Sequence, residues 1–534
     1  MFNKNKKLFI ILFLLFNSLN VFAVTKEELV KKITDSSLYY EQTWKRLLHY
    51  SNGKSIVNKN STFFISKNGY KNPKEEMFSL VDKIFDSPTN VFDKYPARIW
   101  FIEKSLNISL QNLKNSNAPD FEEFKKKVLA DNIYLVFASE NNHSPSTMMG
   151  HLFIKISGND GTKDIEHAIT FTSLVSDKGP FKFYCKALTG NLSGGFILNP
   201  YRDIVSRYLF VENRSIWEFE IKLTKEEKEF FLLHLWELKE VQTKYKFITY
   251  NCATATVDLL NIAKDKNFLQ LDKPFNTPID YLKEFEKLDT ISKINLIPTK
   301  LYNEKIKIKN MNILDANKSS RFAITYSKLI EDSIEFQFTP VYQNLIEPSP
   351  AYYDDLETKL FDITANYTVH TNKLFIKKID LIKLQSILDS NSLMLKDNIS
   401  KYFSITFENS LCETTTNLNP TINYGMGLAY SFYKGKITPY FMPRIGYRYK
   451  DTNNFFCVPQ IGVVIKPISQ LKIISTYDNY FDTYKNNRGF NSELNLQFGF
   501  KITENNTLLV SYSEYTNTNI DTQNIFNIGF AFHF

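Results

Sequence analysis

From about residue 320 to the C-terminal Phe534, large apolar residues alternate with small or polar ones. The apolar set between residues 424 and 432 is Tyr424, Met426, Leu428, Tyr430 and Phe432, with Gly425, Gly427, Ala429 and Ser431 between its members. Side chains two residues apart share one face of a strand, so the pattern predicts strands with an aromatic face and a small or polar face. Repetition in segments of about ten residues favours an antiparallel, outer-membrane-type transmembrane β-barrel of on the order of ten strands. The alternative is a soluble β-sandwich, whose outer face would carry more charge.

The N-terminal residues 1–23 have the features of a secretory signal peptide. Three lysines precede an apolar run from Leu8 to Phe16, and Val21-Phe22-Ala23 offers small residues for cleavage. A membrane anchor is the alternative, but the run is short and is broken by Asn17. No later segment reaches the ~20 apolar residues of a spanning helix. We therefore expect export to the periplasm and outer membrane of a Gram-negative bacterium, with strands making the contact to membrane lipid.

Length and charge restrict the remaining possibilities. A chain of 534 residues should contain two or three domains. Its net charge of +8 comes from lysines spread along the chain, without a dense basic block, so we do not expect nucleic-acid binding. The few Gly, Pro and Cys residues argue against both a disordered protein and a disulfide scaffold.

Residues 24–125 are predicted to form a helical N-terminal domain. Thr25 and Glu28 form a capping-box sequence ahead of helically spaced apolar residues. Further along, Pro96 suits a helix start and places Arg98 in the first turn. Our interpretation of this second motif is a packed turn between helices with an ordinary surface arginine.

Residues 130–290 are predicted to form a small α+β domain. The predicted strands are Ile133–Ala138, His151–Ile156, His167–Phe171 and Trp217–Ile221, and Thr224 caps a following helix. Alternation places His151 on the opposite strand face from Leu152, Ile154 and Ile156. The domain would end with a helix that begins at a cysteine.

Asn251 and Cys252 open an apolar segment that we expect to be this helix. A cysteine in the first turn lies near unpaired N–H groups and the positive end of the helix dipole, which favour the nucleophilic thiolate. Such a nucleophile needs a base and an orienting group. We predict that His151 is the base and that His167, sixteen residues later on a neighbouring strand, is the orienting residue facing it. Gly150, beside the small and polar run Ser144–Thr147, would allow close approach of a substrate.

Other residue pairs leave alternatives open. Cys185, Cys252, Cys412 and Cys457 permit two disulfides in an oxidising compartment, and one at Cys252 would abolish the predicted chemistry. Their spacing does not resemble a zinc site, so we expect no metal and no cofactor. Glu212 and Arg214 are either an internal ion pair that braces the sheet or part of a turn.

Three of these motifs together resemble the Lnb N-terminal periplasmic domain family: Gly150–Ile156, Glu212–Glu218 and Tyr245–Ala253. The resemblance covers about residues 130–290 and implies a circularly permuted papain-like fold of the NlpC class, to which lecithin:retinol acyltransferases also belong. The segment Tyr95–Arg98 resembles the helical domain that precedes it in proteobacterial members, which also end in a barrel-like domain. The family takes its name from a bacterial lipoprotein N-acyltransferase.

The resemblance implies an exported, outer-membrane-associated cysteine acyltransferase. Cys252 would attack an acyl ester with His151 as base and then acid, and a thioester would pass the acyl group to an amine or to water. A phospholipid and a lipoprotein N-terminal amine are the expected substrates. Two alternatives remain: an NlpC-type cell-wall amidase or peptidase, and a non-enzymatic outer-membrane barrel with a periplasmic binding domain.

Overall fold

The computed structural model describes residues 24–88, 90–114, 119–140, 149–174, 186, 192–246, 249–264, 269, 275–299, 312–328, 332–343, 345–349, 355–390, 399–409, 417–450, 452–483, 491–517 and 520–534. The predicted signal peptide, the run Ser144–Thr147, Cys185 and Cys412 lie outside these residues. The chain divides into two compact units. The first comprises Met1–Tyr134, Phe153–Arg202 and Ile221–Gln270, and the second Leu135–Leu152, Asp203–Glu220 and Leu271–Phe534.

The helices of the chain agree with the capping signals in the sequence. They are α1 (Lys26–Ser36), α2 (Gln42–Leu47), α3 (Pro73–Asp86), α4 (Val91–Lys94), α5 (Pro96–Leu106), α6 (Pro119–Lys127), α7 (Tyr201–Ser206), α8 (Lys225–Glu237), α9 (Cys252–Ala263) and α10 (Pro278–Lys287). Thr25 with Glu28, and Thr224 with Glu227, form reciprocal capping boxes at α1 and α8. These contacts satisfy N–H groups that the first turn of a helix leaves without partners.

Arg98 corrects one interpretation. It lies in the first turn of α5, as predicted, but it is fully buried rather than on the surface. Its guanidinium donates to Glu76 at 2.8 Å and to Glu237 at 3.2 Å, and to the carbonyl of Phe63 at 3.0 Å. These partners lie between 22 and 139 residues away in sequence, so no local pattern could reveal them. The motif is the centre of a buried ion cluster.

Nine strands precede the barrel among the residues that the structure describes: β1 (Tyr50–Ser51), β2 (Lys54–Ser55), β3 (Asn132–Ala138), β4 (His151–Asn159), β5 (Asp164–Ser173), β6 (Leu192–Pro200), β7 (Ile216–Ile221), β8 (Thr243–Tyr245) and β9 (Ile291–Ile297). In the first unit, neighbouring strands follow the order β8-β6-β5-β4 and are antiparallel. In the second unit the order is β3-β7-β9. The strands predicted at 133–138, 151–156, 167–171 and 217–221 are all present.

Residues from Arg321 onward form a closed antiparallel barrel. Its strands are β10 (Arg321–Lys328), β11 (Asp332–Thr339), β12 (Val341–Gln343), β13 (Asp355–Thr368), β14 (Lys373–Ile387), β15 (Ser400–Glu408), β16 (Asn419–Ala429), β17 (Ile437–Lys450), β18 (Thr452–Ile468), β19 (Leu471–Asn479), β20 (Phe481–Asp482), β21 (Ser492–Thr503), β22 (Asn506–Asn517) and β23 (Ile520–His533). Pairing of β10 with β23 and of β11 with β13 closes the ring. Leaving aside the short β12 and β20, twelve strands of the described chain form this ring, in agreement with the expectation of on the order of ten.

The two faces of the barrel strands have the predicted chemistry. The five apolar residues of β16 and the turn after it, from Tyr424 to Phe432, are 42% to 52% exposed. Ile528, Phe530 and Phe532 of β23 are exposed in the same way. Inward positions hold buried polar groups such as Asp362 and Asn454. An apolar outer surface around a polar interior is the arrangement that a lipid environment selects.

A segment between β12 and β13 lies inside the barrel lumen. Leu345 and Ile346 join a buried cluster with Ile387 of β14, Met442 of β17 and Ile474 of β19. We call residues 345–349 the plug. The plug narrows the lumen, where a polar cavity of about 700 Å³ remains.

The plug is fixed at the end of the barrel where Arg321 pairs with His533. The Glu347 carboxylate accepts a hydrogen bond from Arg321 at 2.7 Å and another from His533. All three side chains are buried. Outside the barrel, the described helices include none with the length and apolar character needed to cross a bilayer.

Candidate active site

Cys252 occupies the position that the sequence predicted, at the first residue of α9. The preceding Asn251 has an extended backbone, and its side-chain oxygen accepts hydrogen bonds from the N–H groups of Ala253 at 3.0 Å and Thr254 at 3.3 Å. Asn251 is therefore the N-cap. Cys252 is in the thiol form and partly buried. The helix terminus provides a positive electrostatic environment that favours ionisation of a thiol.

The start of α9 is held rigidly. Backbone hydrogen bonds in both directions join Lys246 and Tyr250, which fixes the turn before the N-cap. Tyr250 and Ala255 pack against Phe171 of β5, and the two aromatic rings lie 5.6 Å apart. Nearly all residues of α9 after Thr254 are buried. Such packing fixes the backbone on both sides of Cys252.

Gly150, in the second unit, has a backbone conformation that other residues rarely adopt. Its φ is +84°, in the left-handed region. A Cβ atom at this position would also collide with the ring of Phe137. Both observations require glycine immediately before His151. From the sequence we expected Gly150 to allow close approach of a substrate. In the structure, the requirement for glycine at this position comes from the ring of Phe137.

His151 lies in a partly buried, positively charged environment. Its ring is 6.3 Å from that of Tyr208. Burial, together with the cations of Arg214 and Arg207, lowers the pKa of His151 to about 3. The imidazole is therefore neutral at neutral pH and has a nitrogen able to accept a proton. A neutral imidazole is the form that a general base requires.

Of the two alternatives for Glu212 and Arg214, the structure shows the ion pair. Arg214 is buried and donates to the Glu212 carboxylate at 3.1 Å, and to the carbonyl oxygens of Ser139 at 2.6 Å and Ala138 at 3.0 Å. The same carboxylate accepts from Arg207 at 2.8 Å. Glu212 thus holds the two cations that act on His151. The ion pair also ties the end of β3 to the turn before β7.

His167 does not occupy the cross-strand position that the sequence suggested. The register of β5 pairs it with Ile156 on β4 and with Pro200 on β6, so it does not face His151. It shares a strand face with Ile169 and lines a cavity of about 580 Å³ in the first unit. Burial lowers its pKa. A role as the orienting group for His151 has no support from this register.

Sequence reasoning missed a pair of buried histidines. The Nε2 atoms of His49 and His234 lie 3.1 Å apart, and both residues are buried. Desolvation lowers the pKa of His49 to about 4 and that of His234 as well. Two neutral rings can share one hydrogen bond in this way. His234 sits between apolar neighbours in α8, which was the one sequence sign of burial.

The candidate groups permit one class of chemistry. A thiol at a helix start can act as a nucleophile, and a neutral imidazole can act as a general base. Backbone N–H groups at the start of α9 can stabilise an oxyanion. No cluster of three or more metal-binding side chains occurs among the residues placed by the structure. The groups present suit acyl transfer or hydrolysis at a carbonyl.

Comparisons with known proteins give three family matches along the chain. Residues 120–287 match the Lnb N-terminal periplasmic domain. Residues 36–105 match a domain of unknown function, DUF7843, and residues 314–532 match another, DUF7840. No curated protein matches the chain.

Solved structures similar to the chain are outer-membrane barrels. The KdgM porin is 8% identical, with a TM-score of 0.26, and the match covers 40% of this chain and 99% of the porin. Omp33 of Acinetobacter baumannii is 10% identical, with a TM-score of 0.23, over 41% of this chain and all of Omp33. A channel from Pseudomonas putida F1 is 7% identical, with a TM-score of 0.27, over 41% and 96%. These scores are low, and the barrel assignment rests on the strand pairing described above.

The match to a periplasmic domain family indicates the periplasm, and the outer-membrane-type barrel indicates the outer membrane. The protein is therefore assigned to the periplasm and outer membrane. Residues 120–287 match the Lnb N-terminal periplasmic domain family, and a closed twelve-stranded β-barrel follows them in the same chain.

Proposed function

We propose that the protein is an outer-membrane-associated acyltransferase that uses Cys252 as its nucleophile and a thioester as its intermediate. The observation that carries the proposal is the placement of Cys252 at the first position of an Asn-capped helix, inside the region that matches the Lnb family. The neutral state of His151 supports its assignment as the base. Glu212 and Arg214 act as positioning residues for this histidine.

In the first half-reaction, His151 accepts the proton of the Cys252 thiol while the sulfur attacks an ester carbonyl. The oxyanion is stabilised by the backbone N–H of Cys252. The ester C–O bond breaks, the alcohol leaves with the proton from His151, and the acyl group remains on sulfur. In the second half-reaction an amine attacks the thioester, the C–S bond breaks, and the amine proton returns through His151 to the thiolate. The net result converts an ester into an amide.

A phospholipid is the proposed acyl donor and the N-terminal amine of a lipoprotein the proposed acceptor. A barrel with an apolar outer surface keeps the chain in a membrane, so acyl lipids are always available to it. Cell-wall peptides are also present in the periplasm. Cleavage of an amide in such a peptide by the same cysteine is the second candidate, because the Cys–His chemistry would be identical.

A product assay separates these candidates. The full-length protein would be incubated with phospholipid labelled in its acyl chain and with a lipoprotein-derived peptide carrying a free N-terminal amine. We expect label on the peptide amine with the wild type and with Cys457→Ser, a matched change at an exposed barrel cysteine. Cys252→Ser and His151→Gln should lose at least 10²-fold of the rate. Release of cell-wall peptides without peptide acylation would establish the amidase instead.

A further inference from the structure

The first unit contains a cavity that the proposed reaction does not use. Its volume is about 580 Å³, within the range of roughly 300–1,000 Å³ that is usual for small-ligand sites. Side chains from α6, β5, β6 and α8 form its mostly apolar walls, among them Phe124, Ile169, Phe196, Leu198, Trp236 and Leu238. The cavity therefore has the size and lining expected for an apolar ligand.

One polar group points to the kind of ligand. His167 lines the cavity, and its Nδ1 atom is buried without a hydrogen-bond partner in the described part of the chain. A buried polar atom left in this state costs about 1–3 kcal/mol. Burial also lowers the pKa of His167, which keeps the ring neutral. A ligand that places one oxygen beside this nitrogen would satisfy it.

The rim of the cavity carries charges of both signs. Lys127 and Lys239 lie beside Asp120, Glu123 and Glu240. Lys127 is paired with Glu123, and Lys239 lies 5.1 Å above the ring of Trp236. Such a mixed rim gives no strong preference for an anionic or a cationic ligand. The mostly apolar interior instead favours an uncharged apolar group.

The cavity wall is continuous with the packing at the start of α9. Phe196 lines the cavity and also packs against the cluster of Phe171, Tyr250 and Ala255. Tyr250 lies two residues before Cys252, and Ala255 lies three residues after it. Occupancy of the cavity can therefore be transmitted to the helix start through direct contacts.

We propose that this cavity binds one hydrocarbon chain of an acyl lipid and that His167 donates a hydrogen bond from Nδ1–H to an ester oxygen of that lipid. The inference rests on the proposed function only in naming where its acyl substrate is held; binding itself requires no chemistry at Cys252. His167 is then a positioning residue for the substrate rather than a partner of His151.

Trp236 provides a direct reporter because it lines the cavity. A brominated fatty-acid methyl ester quenches tryptophan fluorescence on contact. The test would use the full-length chain with Cys252→Ala, held in amphipol so that no detergent micelles compete for the ester. We expect saturable quenching, which Trp236→Phe should remove.

Two arginine substitutions separate the cavity from general apolar surface. Leu198→Arg places a charge at the cavity and should weaken binding by at least tenfold, whereas Leu288→Arg, at a similarly exposed leucine outside the cavity, should leave it unchanged. Leu198→Tyr narrows the cavity without a charge and should also weaken binding. Equal quenching in the variants at positions 198 and 288 would place the ester in the amphipol and overturn the inference.

His167→Phe tests the polar contact. We expect it to weaken binding of the methyl ester by about 5- to 10-fold, as loss of one hydrogen bond would, and to leave binding of a brominated alkane of equal length unchanged. Equal losses for both ligands would contradict the hydrogen bond. If the protein transfers acyl groups but shows no saturable binding of the ester, the proposed lipid site in the cavity is wrong and the proposed function stands. If it binds the ester but has no transfer activity, only the proposed function is rejected.

Discussion

At the scale of single residues, the environment of His151 determines what this histidine can do. The sequence left an ion pair of Glu212 with Arg214 as one of two alternatives, and it did not reveal that Glu212 also holds Arg207. The two cations and the burial of the ring together keep the imidazole neutral. Burial and the two cations disfavour a protonated His151, so the proposed mechanism has the proton transferred during the attack of sulfur rather than in a preformed thiolate–imidazolium pair.

Removal of one of these cations should shift the pH dependence of the reaction. Arg207 is largely exposed and depresses the pKa of His151, so Arg207→Gln should raise that pKa. The neutral imidazole is the active form of a base. The acid limb of the kcat/KM profile should therefore move to higher pH, with less than about a twofold change above pH 7. Lys59→Gln, at an exposed lysine, serves as control; an unmoved acid limb in Arg207→Gln would contradict either the effect of Arg207 on His151 or the assignment of His151 as the base.

Gly150→Ala tests the strained turn before His151. Gly150 and Gly161 both have φ in the left-handed region, at +84° and +91°, but only the first would press a Cβ atom into the ring of Phe137. Alanine at 150 should cost about 1–3 kcal/mol more than alanine at 161. Urea unfolding followed by tryptophan fluorescence would measure the difference. Equal losses in the two variants would show that the collision is relieved.

At the scale of elements, the contacts that fix helices to one another are the ones that local patterns missed. The capping boxes of α1 and α8 depend on neighbours within three residues, and the sequence predicted both of them, together with the start of α9 at Cys252. Arg98 depends on Glu76 and Glu237, which belong to two other helices. The position of His167 depends on a strand offset that alternation alone leaves undetermined. Long-range partners therefore account for the misses.

The buried cluster gives a prediction for stability. Arg98→Met would leave the carboxylates of Glu76 and Glu237 buried without their cation and should lower the free energy of unfolding by about 3–5 kcal/mol. Lys104→Met, on the same helix with an exposed side chain, should change it by less than about 0.5 kcal/mol. All four tryptophans precede residue 240, so their fluorescence reports on this part of the chain during thermal unfolding. Similar effects of the two substitutions would contradict the cluster's role.

The plug gives a prediction for conductance. Leu345 and Ile346 narrow the lumen as part of an apolar cluster, and Glu347 is held by Arg321 and His533. We expect no ion channels from the wild type in planar bilayers. Ile346→Asp places a charge in that apolar cluster and should disrupt the packing of the plug. We therefore expect a measurable conductance from this variant. Ser469→Asp, in an exposed turn, should show no ion conductance, like the wild type. Conductance by the wild-type barrel would contradict closure by the plug.

At the scale of the whole molecule, the chain joins a region that matches a periplasmic domain family to an outer-membrane barrel. The alternation of aromatic and small residues predicted the barrel because each strand carries its pattern locally. The expectation of on the order of ten strands agrees with the twelve that the described chain contributes to the ring, of which β10 and β11 have only eight residues. A membrane-held cysteine enzyme in contact with lipid is the central claim that follows.

The most direct measurement of this claim is the mass of the peptide that contains Cys252 after incubation of the full-length protein with phospholipid and no acceptor. The account predicts an added acyl mass on that peptide, which neutral hydroxylamine removes because a thioester reacts with it. The adduct should be retained in Cys457→Ser and lost in Cys252→Ser. Absence of the acyl mass from the wild type, or its persistence when Cys252 is replaced, would contradict a thioester at this residue.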